Sequence, residues 1–382
     1  MKNEKTARSV AIIGGGAAGL AAAISAGEAG AKPVIIEKAN RVGKKLLKTG
    51  NGRCNLSNEN VSPAGYDHGD FVAPLLEETP CAALRERFRA LGLWTTVDGE
   101  GRVYPRSDTA SSVLDILRLA AAERGAEERC SAEVTAIRPL SGGGFRIEVR
   151  EGAPVFAERV IVSTGGGTEL CRALGHKQVP FTPILCPLKT ETAPIRGLSG
   201  LRVRCRARLL HGEEALFDEC GEILFRDFGV SGILALDISR FLREGCTLSL
   251  DLLPEWEEDE LRARLREQLT LARPGEELTG VFHRRVAEAV LRYAGGTDVN
   301  ALCRAIRDFR IPVLGRADTQ NAQVTRGGAD VRFFDPKTLQ STLCPGLYCV
   351  GEALDIDGRC GGYNLHWAFV SGAAAGRSAA LD

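Results

Sequence analysis

The run Ser9-Val-Ala-Ile-Ile-Gly-Gly-Gly-Ala-Ala-Gly19 restricts what this chain can fold into more than any other part of it. Val10 to Ile13 is a short apolar stretch, the pattern of a strand buried in a parallel sheet, and an alanine-rich helical stretch follows at once. Gly14, Gly16 and Gly19 fill the positions of a G-x-G-x-x-G pattern. The first allows a tight turn, the second lets a pyrophosphate approach the backbone, and the third lets the helix lie close to the strand. Phosphates sit well at such a helix start, where unpaired N–H groups and the helix dipole favour negative charge. A second apolar run, Val34-Ile-Ile, ends in Glu37, where an acid accepts hydrogen bonds from an adenosine ribose. Glycine-rich turns alone are weak evidence. Strand, glycines, helix, strand and acid in register predict a dinucleotide site.

Composition narrows the class. The 382 residues suffice for two or three domains, with 44% hydrophobic and 26% charged residues, as in globular proteins. A net charge of zero supplies no global field to recruit nucleic acid or membrane. The polar start, Met1-Lys-Asn-Glu-Lys-Thr, resembles no export signal, and no 18-residue apolar stretch is present, so a cytoplasmic protein without membrane contact is expected. Twelve scattered cysteines include no C-x-x-C pair, which argues for reduced thiols and no metal site.

Two further apolar runs meet glycine: Arg159-Val-Ile-Val-Ser-Thr-Gly-Gly-Gly167 and Gly346-Leu-Tyr-Cys-Val-Gly-Glu352. Strand ends of this kind gather round a ligand at the carboxyl edge of a doubly wound sheet. Their spacing predicts a two-ended, Rossmann-type α/β domain from residues 1–186 and 326–382, interrupted by an insertion. The insertion divides into a β-rich part (187–255 and 310–325) and a small helical subdomain (256–309). A helix is expected over about Ser111 to Arg124. A hairpin of Ala132–Ile137 and Phe145–Arg150 is expected to turn at Ser141-Gly-Gly-Gly144. Leu201-Arg-Val-Arg-Cys-Arg-Ala-Arg-Leu209 alternates, so Arg202, Arg204, Arg206 and Arg208 share one strand face. That face either grips the phosphates of an RNA or pairs with Glu residues in solvent.

The chain's end carries a second fingerprint. Gly351-Glu352 follows a strand and suits the ribityl or phosphate arm of FAD. Gly361-Gly-Tyr-Asn-Leu365 opens a helix whose N–H groups would face the flavin pyrimidine. With Arg41-Val-Gly-Lys-Lys-Leu-Leu-Lys-Thr-Gly-Asn-Gly-Arg-Cys-Asn-Leu-Ser-Asn58, these motifs resemble the BaiN-like bacterial flavoproteins, also catalogued as aminoacetone-oxidase-type enzymes. The resemblance covers nearly the whole chain. The segment Gly167–His176 is shorter here than in that family.

The resemblance implies a FAD-binding oxidoreductase, with the Lys44–Asn58 loop along the isoalloxazine and a substrate cavity beside the insertion. The cofactor residues expected are Gly14, Gly15, Gly16, Ala17, Ala18, Gly19, Glu37 and Lys38 in the first unit. Lys45, Asn51, Gly52, Arg53 and Cys54 follow from the basic loop, Val134 from the hairpin, and Thr164 and Gly165 from the second strand end. Gly351, Glu352, Gly361, Gly362, Tyr363, Asn364 and Leu365 complete the set. Activities proposed for the family include reduction of steroid-type enones and of a uridine in ribosomal RNA. The expected reaction is NAD(P)H-driven reduction of an activated C=C bond in a small molecule. Flavin amine oxidation and an RNA-directed reduction are the alternatives. With only one full G-x-G-x-x-G, nicotinamide would visit the flavin transiently.

A proton donor must accompany the hydride. Cys54 is one candidate, beside Arg53, and packing is its other reading. The C-x4-C partner position holds Glu59, which argues against a redox disulfide. Tyr363 is the second candidate donor. His366, on the same helix turn, contacts flavin or substrate, or packs. Asp355 and Asp357 would cap the helix segment or bind the ribityl chain, and a paired acid–base role is less favoured. Cys349, in a C-x4-C with Cys344, reads as core.

Overall fold

In the computed structural model, residues 7–166, 169–322 and 324–382 are described. The chain divides into two compact units, Met1–Thr182 with Val324–Asp382, and Pro183–Gln323.

The first unit is built on a five-stranded parallel sheet, the edge strands of which come from distant parts of the chain. Its elements are β1 (Ser9–Ile13), α1 (Ala17–Glu28), β2 (Lys32–Ile36), α2 (Ala110–Glu123), β3 (Glu127–Arg129), β4 (Arg159–Val162), β5 (Leu347–Cys349) and α3 (Tyr363–Leu381). The strand order is β5-β4-β1-β2-β3. In register, Ile12 lies between Ile161 and Ile35, and Ile161 pairs with Tyr348. Every residue from Val10 to Ile13 is buried, which accounts for the unbroken apolar run: this strand is covered on both faces. A three-stranded antiparallel sheet (Val134–Pro139, Phe145–Val149, Val155–Ala157) stands between β3 and β4, with its first turn at the Ser141–Gly144 glycines.

Glycine sets how closely the two long helices approach. A Cβ on Gly372 would fall on the carbonyl oxygen of Ala18, and one on Gly376 on that of Ala22. These glycines are four apart on one face of α3, against the small residues of α1. The helix that follows the first glycine turn is thereby clamped to the helix that carries the second fingerprint.

The second unit is a closed antiparallel barrel of Leu188–Thr190, Arg202–His211, Glu214–Arg226, Gly229–Ser231, Thr247–Asp251 and Phe309–Arg316. Alternation places Cys205, Ala207 and Leu209 inside and the arginines outside. Arg206 meets Asp218 across the hairpin at 2.6 Å, Arg202 bonds Glu222, and Arg208 reaches Ser249 at 3.1 Å. Of the two readings of this face, pairing in solvent describes these three positions, where cross-strand partners hold the arginines. Three helices, Glu258–Leu271, Arg284–Ala294 and Val299–Arg307, bury Leu261, Val290 and Ile306 in the same core as Leu248, Phe309 and Ile311. Among the described residues no helix is long and apolar enough to cross a membrane.

Candidate cofactor and active site

The first glycine turn shows which glycines are fixed by packing. Gly14 has φ +103°, and a Cβ on it would lie 2.6 Å from the carbonyl oxygen of Ser163. On Gly15 it would meet Val42 at 2.5 Å, and on Gly19 it would fall on the carbonyl oxygen of Gly14. A Cβ on Gly16 would meet nothing within 4 Å. Gly16 is therefore bare on the side from which another group would approach. It caps α1 without a side-chain hydrogen bond, so the first N–H groups of a 12-residue helix, beginning at Ala17 and Ala18, lack a side-chain acceptor from the cap.

Glu37 sits at the end of β2, as anticipated. Its carboxylate accepts the Gly15 N–H at 2.7 Å and the Ala39 N–H at 2.8 Å, so it also fixes the shape of the turn. Each oxygen keeps a further lone pair for a ribose hydroxyl. Lys38 beside it is exposed. The N–H groups of Ser131 and Ala132 bond the carbonyls of Ala39 and Glu37, which brings Val134 close to this strand end.

Residues of the basic loop and both later strand ends meet in the first unit. Lys45 Nζ lies 2.6 Å from Glu352 Oε2, and the Thr325 N–H donates to Glu352 Oε1 at 3.3 Å. A Cβ on Gly165 would lie 3.6 Å from Glu352 Oε2 and 3.8 Å from Lys45 Nζ. Thr164 bonds the Gly165 carbonyl, and the Gly351 N–H donates to Ser371 in α3. Positions far apart in sequence thus form one polar cluster. Gly167 and Thr168, the start of the shortened segment, lie outside the described residues.

The loop reaching Asn58 is held in unusual backbone conformations. Gly50, Asn51, Gly52 and Cys54 have φ of 55°, 55°, 85° and 61°. Two non-glycine residues in the left-handed region cost energy that surrounding contacts must repay. Arg53 supplies part of that by bonding Asp108 at 2.6 Å while stacking 4.1 Å over Tyr104. Asn51, Gly52 and Arg53 are exposed, whereas the chain from Cys54 to Asn58 is buried.

That buried stretch runs under the start of α3. Gly362 has φ +108°, and a Cβ there would fall on the Ser57 carbonyl and lie 2.9 Å from Asn55 Oδ1. The Asn58 amide donates to the Gly361 carbonyl at 3.0 Å. Asn364 clamps Gly358, accepting its N–H at 2.8 Å and donating to its carbonyl at 2.9 Å, and Leu365 is half-buried. Asn55 is 9% exposed and its Oδ1 has no partner. A buried amide oxygen without a donor is costly. Here it lies at the start of a helix that has no side-chain cap.

The contacts of the candidate donors and of their acidic neighbours are with the protein itself. Cys54 has no exposed surface, and burial pushes its thiol up to about 11, so it packs in the core and presents nothing to a ligand. Tyr363 is 8% exposed, donates its hydroxyl to the Asn60 carbonyl at 2.8 Å, and lies across Gly65. His366 has no exposure and bridges Ser57 (2.8 Å) and the Thr79 carbonyl (3.1 Å). Because the carbonyl only accepts, Nε2 carries the proton and Nδ1 accepts from Ser57. Burial drives its pKa down to about 4, so the ring is neutral. Asp355 and Asp357 do not cap α3. Asp357 is fully buried and pairs with Arg326 at 2.6 Å, while Asp355 holds His68 at 3.3 Å.

Sequence reasoning missed three residues. Asn55 was hidden because an orphaned atom is a property of packing. Arg326 and His68 were hidden because their partners lie 31 and 287 positions away.

Residues 8–378 match the family model described as the HI0933-like protein Rossmann domain. The chain is 34% identical over 407 residues to a 3-dehydro-bile acid delta(4,6)-reductase of Clostridium scindens, with 97% of this chain and 98% of that protein covered. It is 28% identical to a ribosomal RNA dihydrouridine synthase of Escherichia coli, with 94% and 95% covered. Among solved structures, a flavocytochrome c3 fumarate reductase aligns with all of this chain and 80% of its own, at a TM-score of 0.49 and 17% identity.

Proposed function

The chain belongs to the HI0933-like Rossmann family and is an FAD-dependent oxidoreductase, and we propose that it reduces an activated C=C bond of a steroid-type enone with NAD(P)H as electron donor. The relative carrying that reductase name matches nearly the full length of both chains, which is the main support for this substrate class.

The residues present fit FAD. The bare turn at Gly16 and the N–H groups of Ala17 and Ala18 would hold the pyrophosphate, and Glu37 the adenosine ribose. Lys45, Glu352 and Gly165 would border the ribityl arm. The unpartnered Asn55 Oδ1 and the uncapped start of α3 would meet the hydrogen-bonding edge of the flavin ring: an acceptor for its imide N–H and donors for its carbonyl oxygen. When bound, FAD would supply the hydride-transfer chemistry between donor and substrate. The chain's own share is to bind and orient. The α3 amides would favour negative charge at the ring edge, and Asn51, Gly52 and Arg53 line the exposed side of their loop.

The test is anaerobic stopped-flow absorbance on the yellow protein. Bleaching by NADH or NADPH, followed by reoxidation with a ketosteroid enone, supports the reading. Bleaching only by an amine, with peroxide formed in air, would instead establish an oxidase. A protein that takes up no FAD after reconstitution would overturn both.

A second reading, reduction of uridine in ribosomal RNA, is favoured by the name of the 28% identical relative. The arginine pairing on the barrel weakens its electrostatic motive. Reoxidation by a uridine-containing ribosomal RNA fragment, with binding that falls steeply as salt rises, would support it.

A further inference from the structure

The hydride explains only half of a C=C reduction, and the residues first suggested for the proton are occupied. Cys54 and His366 have no exposure, and the Tyr363 hydroxyl is committed to the Asn60 carbonyl. One imidazole of the first unit has a different setting. His68 Nε2 lies 3.3 Å from Asp355 Oδ2 and 3.7 Å from Asp67 Oδ2, and its side chain is 40% exposed. Its backbone caps the helix Gly69–Glu78, yet its ring makes no capping bond.

The placement of this pair relative to the cofactor residues is fixed by the backbone. Asp355 lies on the segment from Glu352 to Gly361-Gly362, the two ends of the second fingerprint. Asp67 is stitched to that segment: its N–H donates to the Asp357 carbonyl at 3.2 Å, and the Asp357 N–H donates to Asp67 Oδ1 at 2.9 Å. Tyr66 forms a bridge with Gly358 and donates its hydroxyl to the Tyr363 carbonyl at 2.8 Å. The imidazole therefore sits alongside the stretch that joins the ribityl and ring ends of the cofactor cradle.

We propose that His68, oriented by Asp355, is the acid that protonates the substrate carbon next to the one receiving hydride. The assignment rests on the enone-reductase reading above. With a hydride added at the β-carbon, the π pair of the C=C bond moves to the α-carbon. That carbon takes the proton from Nδ1 of the imidazolium, so one N–H bond breaks and one C–H bond forms. The ring is left neutral and regains its proton from water. The two electrons come from the nicotinamide donor, and the carboxylate of Asp355 stays ionised throughout, as an orienting group does in a His–carboxylate pair.

The charges around the ring suit an acid used near neutrality. The hydrogen bond to Asp355 holds its pKa above the ordinary value, against desolvation, with the charges of Asp67, Asp355 and Asp330 adding to it. Asp67 is itself lifted to about 6 by burial and by the charge of Asp357, and Arg326 neutralises Asp357. Arg332 engages Asp330 at 2.6 Å, which leaves Asp355 as the anion nearest the ring. The imidazolium is thus populated where a free histidine would already be losing its proton.

The experiment compares FAD-loaded wild type, His68→Gln and Asp355→Asn in three measurements. Anaerobic bleaching by NADPH is expected to be unchanged within about twofold in His68→Gln, because hydride uptake needs no acid. Reoxidation by a ketosteroid enone is expected to slow by roughly 10²-fold or more, at the lower end of what a placed acid contributes. In deuterated water the wild type should label one face of the α-carbon, and His68→Gln both faces. Proton NMR of the His68 ring should show its titration midpoint falling in Asp355→Asn. If His68→Gln is reoxidised at the wild-type rate and keeps single-face labelling, the assignment fails while the enone reading stands. If reduced wild type is reoxidised by no enone, both fall. Loss of bound FAD or of thermal stability in His68→Gln shifts the decision to Asp355→Asn: an unmoved ring midpoint there overturns the proposal.

Discussion

Gly16→Val separates a glycine kept for a ligand from one kept for packing. Gly16 has φ −80° and ψ −165°, extended backbone open to any residue, and an added Cβ meets no protein atom within 4 Å. The apoprotein should therefore lose little: replacing a glycine cap by an apolar one costs at most about 1 kcal/mol. The pyrophosphate of FAD would have to come to the same space. Forcing a branched side chain between backbone and phosphate costs about 1–3 kcal/mol, the range for overfilling a packed site. That is roughly 5- to 150-fold in Kd at about 1.4 kcal/mol per decade. Gly19→Ala is the contrast, since its Cβ would fall on the Gly14 carbonyl and the apoprotein itself should be destabilised. The assay is quenching of FAD fluorescence on titration with apoprotein, beside thermal unfolding of the same apo samples. Wild-type FAD affinity in Gly16→Val would refute the assignment of this turn to the pyrophosphate. A large drop in apo stability would show that Gly16 is held by packing after all.

Cys54→Ser should retain FAD and both half-reactions at wild-type rates, because the thiol is enclosed. It should lose about 1–3 kcal/mol by placing a hydroxyl in an apolar site, read by denaturant unfolding. Slowed reoxidation would return Cys54 to the mechanism. Gly372→Leu should destabilise by several kcal/mol and weaken FAD binding as well, since α3 must move off the Ala18 carbonyl and take the start of α1 with it; thermal unfolding and FAD titration check the pair. His366 makes stability depend on pH in a predictable sense. Its native pKa, about 4, lies below the ordinary value of 6.5, so the unfolded chain takes up the proton first. Stability should be fully present above pH 6.5, fall by up to roughly 3 kcal/mol as pH drops towards 4, and level below that. The fall should shrink in His366→Gln, and an unchanged profile there would place the titration elsewhere.

The sequence was most informative where one short stretch decides its own structure. Val10–Gly19 combines a continuous apolar strand with three glycines at fixed offsets, and the helix starts at Ala17 as that pattern demands. The helix Ala110–Glu123, expected over about Ser111 to Arg124, and the alternation of Arg202 to Leu209 were legible for the same reason, since period alone reports the buried face. What was not legible shares a cause too. Tyr363, His366 and Cys54 were suggested by their nearness in sequence to glycines of the fingerprints, but which way a side chain points depends on what packs behind it. The Thr79 carbonyl claims His366, and the Asn60 carbonyl claims Tyr363. Neither acceptor belongs to any motif. A closed barrel was likewise beyond reach, because closure needs Leu188–Thr190 to pair with Phe309–Arg316 across more than a hundred residues.

The topology of the first unit sets strands from distant parts of the chain side by side. A parallel strand cannot pair with its successor through a tight turn, so each neighbour of β1 arrives after a long connection. β4 follows after the antiparallel sheet, and β5 only after the whole second unit. The carboxyl ends of β1, β4 and β5 then lie side by side, and each delivers glycine: Gly14, Gly165 and Gly351, all with positive φ. Positive φ turns the chain sharply away from the sheet, leaving room at the sheet edge without a side chain to fill it. What fills the rim instead is polar and charged. Lys45 and Glu352 meet there, and Thr325 donates its N–H to that glutamate. Beyond them the short stretch to Gly362 carries Asp355 with its imidazole and Asp357 with its guanidinium. Removing either cation would leave a poorly solvated carboxylate on that stretch. Arg326→Met should therefore cost more in folding stability than an exposed ion pair is worth, because Asp357 has no access to water in which to shed its charge. Urea unfolding of the apoprotein decides it: a loss near 3 kcal/mol or above fits a stranded buried charge, and a loss under about 1 kcal/mol would show that Asp357 is held neutral or satisfied by other groups.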